Sequence, residues 1–111
     1  MSSVFSSARP WPNAGDSDLQ RYEAISRVFM SHEYLLPFFF DTEQPRVRLA
    51  PEKMLRQADG MSTGEFLLIK IALDIWSGSG NARVWELIEN LDQQNFSFVL
   101  QALLISRQNR V

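Results

Sequence analysis

Polar and apolar positions change places most sharply between Ser62 and Gly80. Ser62, Thr63, Gly64 and Glu65 have the spacing of a capping box. From Phe66 to Trp76 only Lys70 and Asp74 carry charge, and Ser77, Gly78, Ser79 and Gly80 end the run. A helix this apolar has little surface to give to water, so it is expected at the centre of the fold. Its polar positions Thr63, Lys70, Asp74 and Ser77 fall on one narrow stripe, together with Leu67.

Three further helices follow from the same reading. Ser17 to Gln20 again fits a capping box, and Leu19, Tyr22, Ile25, Val28 and Phe29 recur at helical spacing before Pro37. After the glycines, Asn81 can cap a helix with Val84, Leu87, Ile88 and Leu91 on its inner face. Asp92 can cap another, with Phe96, Val99, Leu100, Leu103 and Leu104 inward. Phe98, Ala102 and Ile105 widen that face beyond what one core contact requires. A short helix opens at Pro51, whose missing N–H costs nothing at a first helical position, and Gly60 is its expected stop. Between Phe38 and Leu49 the pattern is ambiguous. Arg46 to Leu49 alternates with period two, so either a minor β-hairpin forms at residues 38–49 or irregular segments tuck the phenylalanines under the helices.

Residues 1–15 read as an N-terminal tail and 16–111 as a single helical domain. Pro10 and Pro12 bar a helix around Trp11. The tail is either a flexible lead or a strap whose Trp11 anchors on the domain or on a partner. The expected fold is therefore mainly α: a small bundle of about five helices.

Composition narrows the chemistry. At 111 residues, 45% apolar, with eight Phe and three Trp, the chain can build one core without staples. It has no cysteine, which excludes disulfides and thiolate metal sites. The formal charge is −2, with eight acidic against seven basic residues up to Met61 and five against four thereafter. Neither half has the basic excess that nucleic-acid binding favours. No apolar run reaches the ~20 residues of a membrane span, and no secretory leader is evident, so a soluble, cytoplasmic protein is expected.

No catalytic, cofactor-binding or metal-ligating residue emerges. His32, the sole histidine, lacks a second ligand or a nucleophile elbow. Lys70 and Asp74 read as a solvated i,i+4 pair rather than an acid–base couple. Arg46 and Arg48 read as a solvated strand face. The loop at Gly78 to Asn81 precedes a helix N-terminus, where backbone N–H groups hold phosphates, but it has neither a leading strand nor a P-loop lysine.

Three segments carry a resemblance: Met61 to Glu65; Ile71 to Gly78, ending Trp76-Ser77-Gly78; and Leu91 to Phe96. With Phe38 to Asp41 upstream, they make about half the chain similar to a group of small uncharacterised bacterial and phage-type helical proteins. The resemblance implies a fold and a mobile-element setting. It carries no site residues.

Surface accounting then gives the functional expectation. Two long helices have apolar faces wider than a four- or five-helix monomer of this size needs, and such surplus marks an interface. Trp76, Trp85, Phe98, Ala102 and Ile105 are the candidate contributors. The chain is expected to be a non-enzymatic protein that works through protein–protein contacts and self-associates, without cofactor. The alternative is a nucleic-acid-associated regulator using a helix-turn-helix-like pair at residues 62–91. A third class, a hydrolase or ligand-binding bundle, would show a polar pocket with Lys70 or His32 beside a carboxylate.

Overall fold

A computed structural model describes residues 11–108. These form six helices: α1 (Asp16–Val28), α2 (Leu35–Phe39), α3 (Pro51–Ala58), α4 (Thr63–Ser77), α5 (Val84–Asn90) and α6 (Gln93–Arg107). The protein is mainly α, as its periodicity predicts.

Helix α4 is the central post. Ser62 Oγ accepts from the Glu65 N–H at 3.2 Å and Glu65 Oε1 accepts from the Ser62 N–H at 3.1 Å, so the capping box closes. Leu67, Leu68, Ile69, Ile71, Ala72 and Leu73 are all buried, which leaves only a thin polar strip. Gly78 ends the helix in the left-handed region, with φ of 70°, where a Cβ would be strained.

Helix α1 packs against α4 and, most extensively, against α6. Ala24 of α1 and Ala102 of α6 are fully buried, and such small side chains let two helices approach closely. Gln20 Nε2 donates to the Ile105 carbonyl at 2.8 Å across this seam. The start of α1 differs from the expected Ser17 box. Gly15 is the N-cap, and its N–H donates to the Asp18 carboxylate at 3.2 Å. Glycine has no side chain to return the bond, so only half of a capping box exists here.

The hairpin expected at residues 38–49 is absent. Phe38 and Phe39 belong to α2, and a single antiparallel bridge, Phe40 to Val47, is all that remains of the strand pattern. The cause is local. Pro37 falls in the first turn of α2, where its missing N–H is not needed, so the turn forms and carries Phe39 and Phe40 into the core. One bridge cannot bury a sheet face.

Of the expected tail, residues 1–10 lie outside the described residues. Trp11 is fully buried. Its Nε1–H donates to the Asp41 carbonyl at 2.8 Å, and its ring meets Tyr22 and Phe40 edge-on at 5.5 and 5.3 Å.

Candidate protein-interaction surface

Helix α5 buries none of its residues. It is held to α4 by polar bonds at one end instead. Lys70 Nζ donates to Glu86 Oε2 at 2.9 Å and Oε1 at 3.2 Å, while Glu86 Oε1 also accepts from the Arg83 N–H. These contacts hold the Glu86 carboxyl below its usual range, the Lys70 ammonium first and the Arg83 N–H second. The connecting loop is fixed by Asp74. Its two carboxylate oxygens accept from the N–H groups of Gly80, Asn81 and Ala82 at 2.8, 3.0 and 2.8 Å.

These bonds redraw several expectations. Lys70 pairs with Glu86, not with Asp74. Asn81 does not cap α5; it takes a left-handed φ of 56° inside the loop, and Arg83 is the N-cap residue. The N–H cradle that could hold a phosphate already holds an internal carboxylate. Arg46 and Arg48 are likewise engaged within the chain, Arg46 by Asp41 and Arg48 by the Phe38 carbonyl.

Leu87 packs half-buried against the core, while the other apolar residues of α5 face outward. Val84 is 74% exposed, Trp85 57% and Ile88 66%. On α6, Leu100, Leu103 and Leu104 are exposed as well, the last at 65%. Between the two helices runs an apolar groove of about 340 Å³ whose walls include Ile71, Ile75, Leu87, Val99 and Leu103. Val84 and Leu103 also line the groove, so the exposed residues adjoin it.

The residues named from sequence are distributed otherwise. Trp85 is on this face. Ala102 is fully buried against α1 and cannot contribute to any surface. Phe98, Ile105 and Trp76 are half-buried. Trp76 lies beneath Arg21, whose guanidinium sits 5.4 Å from the ring centre.

Periodicity alone turns the exposed leucines of α6 and the pair Val84 and Ile88 of α5 inward. Helical spacing identifies an apolar stripe but not which stripe meets a neighbour. The available signal was size. Asn95, Ala102 and Ser106 are small and follow a parallel stripe with Val99, which suits a close helix contact better than three leucines do.

Six side chains so exposed open on the order of 600 Å² of apolar surface. That is at the upper end of what a monomer leaves bare, and most of the ~800 Å² that each partner gives to a stable interface. The centre of the face carries no unpaired charge, because Asp74 is spent on the loop and Lys70 on Glu86. Arg83, Glu89 and Arg107 stand toward the ends of the two helices, with both signs represented.

Comparison with protein-family models, curated proteins and solved structures gives no match. Among the described residues no helix is long and apolar enough to cross a membrane, and no three acidic or histidine side chains are grouped to hold a metal ion.

Proposed function

We propose that this chain is a non-enzymatic helical protein that works by self-association, two copies meeting through the face built by α5 and α6. The observation that carries the reading is the pairing of an apolar ridge (Val84, Trp85, Ile88, Leu104) with an apolar groove on the same surface. A two-fold contact needs a self-complementary patch, and ridge into groove is one way to make it. The neutral centre lets identical copies approach without like-charge repulsion. The nucleic-acid alternative draws less support. Helix α5 has seven residues, and apart from Asn90 its outward side chains are apolar or acidic, where a recognition helix offers several arginines, lysines or amides.

Sedimentation velocity tests this directly. The protein is expected to dimerise in the micromolar range. The double variant Ile88→Glu with Leu104→Glu should stay folded, because both side chains already face solvent, and should weaken association by at least about a hundredfold, close to 2.7 kcal/mol. A wild-type chain that remains monomeric at high micromolar concentration would remove the proposal.

A further inference from the structure

The chain has three tryptophans, and its own core employs two of them. Trp11 is fully buried, with Tyr22 and Phe40 edge-on against it. Trp76 is half-buried, with Trp11 and Phe40 edge-on and the Arg21 guanidinium over its ring. Trp85 is the third. It is more than half exposed, and among the described residues no ring or cation stacks on it and no acceptor takes its indole N–H. A bare indole offers a large apolar surface and one donor, a combination enriched at protein–protein contacts.

Trp85 cannot enter the groove beside it. Val84 and Leu87 are the α5 residues in the groove wall. Trp85 lies about 100° round the helix from Val84 and about 160° from Leu87, so its ring leaves the helix away from the slot. The Lys70–Glu86 bond holds α5 in that rotation. The slot itself has room for an indole. Its volume of about 340 Å³ is more than twice the ~150 Å³ of a cavity that admits benzene. Only two of its lining residues are polar, and neither brings an unpaired charge. Asp74 spends its carboxylate on the loop. Ser106 Oγ donates to the Ala102 carbonyl at 2.9 Å and keeps its lone pairs to accept a donor such as an indole N–H. Seating an apolar ring here desolvates no free ion.

We propose that Trp85 of one copy seats in the α5–α6 groove of a second copy, whose own Trp85 seats in the first. This inference rests on the self-association proposed above and assigns most of its energy to one side chain. In a two-fold contact each copy gives one ring and receives one, so ring and slot are paired twice. A second copy is the occupant because every chain carries both parts, and because the bare apolar area approaches what each side of a stable dimer buries. A tryptophan seated in a desolvated pocket is the usual form of a binding hot spot.

Sedimentation velocity on single variants tests the anchor. Trp85→Ala changes an exposed side chain, so it should fold normally by circular dichroism, and it should weaken association at least about thirtyfold. Leu104→Ala removes a comparably exposed side chain of α6 and should weaken it less than about fivefold. Ala82→Phe places a ring in the wall of the slot and should weaken association about as much as Trp85→Ala. Mixing the two defective variants is the sharper test. Trp85→Ala keeps the slot without the ring, and Ala82→Phe keeps the ring without the slot. Neither can pair with itself, yet together they form one ring-in-slot contact, so the mixture should associate at least about fivefold more tightly than either alone. In the wild type, tryptophan emission should move to shorter wavelength as concentration rises through the dimerisation range. A dimer with Trp85→Ala and Leu104→Ala equally weakened, a mixture no tighter than its parts, or emission that ignores dimerisation would overturn the anchor and leave self-association standing. A wild-type chain that stays monomeric would overturn both. Should Ala82→Phe fail to fold, the two alanine variants and the emission decide the matter alone.

Discussion

A Cβ built on Gly80 would stand 1.8 Å from the Lys70 carbonyl oxygen and 2.7 Å from its carbon. Both are backbone atoms of α4 and cannot swing aside. The loop after α4 therefore crosses the helix so closely that only hydrogen fits, and Asp74 fastens it there with three N–H bonds. Gly80→Ala should cost about 2–4 kcal/mol in urea unfolding, since the loop must lift off and give up those bonds. Gly60→Ala is the matched control. Nothing lies within 4 Å of its Cβ, and the same measurement should show no loss and a gain of up to about 1 kcal/mol. Trp11 is the other residue on which much rests. Its ring fills core space between α1, Phe40 and Trp76, and its N–H satisfies a carbonyl. Trp11→Ala should lower stability by about 3–5 kcal/mol, whereas Trp11→Phe, which restores most of the volume but not the Asp41 bond, should recover more than half of that.

At the scale of elements, α5 is the exception. Helices α1 to α4 and α6 are each pinned by buried side chains; α5 is pinned by the Lys70–Glu86 pair, by its loop and by half-buried Leu87 and Leu91. Its attachment should therefore respond to pH. The folded state holds Glu86 below its ordinary value of 4.5, so the bonds stabilise the fold fully above that value. The contribution drains away as the pH falls from there through the lowered folded value. Asp41 adds to the same trend, its carboxyl lowered first by the Glu43 and Gln44 N–H groups and then by Arg46. In urea titrations Glu86→Gln should be less stable than wild type at neutral pH, by less than about 1 kcal/mol because the pair is near the surface. The two proteins should converge in acid, once the pH has fallen below the lowered folded value of Glu86. A gap that persisted in acid would show that Glu86 holds α5 by packing alone.

For the whole molecule, the decisive quantity is the apolar surface left over after folding. Helix α5 packs on α4 without fully burying any residue, and α6 makes its main contact with α1. Three leucines of α6 and three large side chains of α5 are left exposed among the described residues. Association through such a face is driven by water release, not by charge. Raising sodium chloride from low to molar concentration should leave the proposed dimer as tight or tighter in sedimentation experiments. Nucleic-acid binding through the α4–α5 pair would show the opposite, falling steeply with salt.

The sequence by itself determined what is local. Ser62 with Glu65, Asp92 ahead of α6, Pro51 at the first position of α3 and Gly78 after α4 mark element ends through bonds among residues a few positions apart, and all are found as read. What only the tertiary structure decided is direction. Which stripe of α6 turns inward, that Lys70 reaches Glu86 rather than Asp74, and that Trp11 returns to meet Asp41 thirty residues on all depend on where distant segments pack. A helical period is the same whichever face it buries, and a side chain's partner is set by the crossing of helices, which no short window of residues contains.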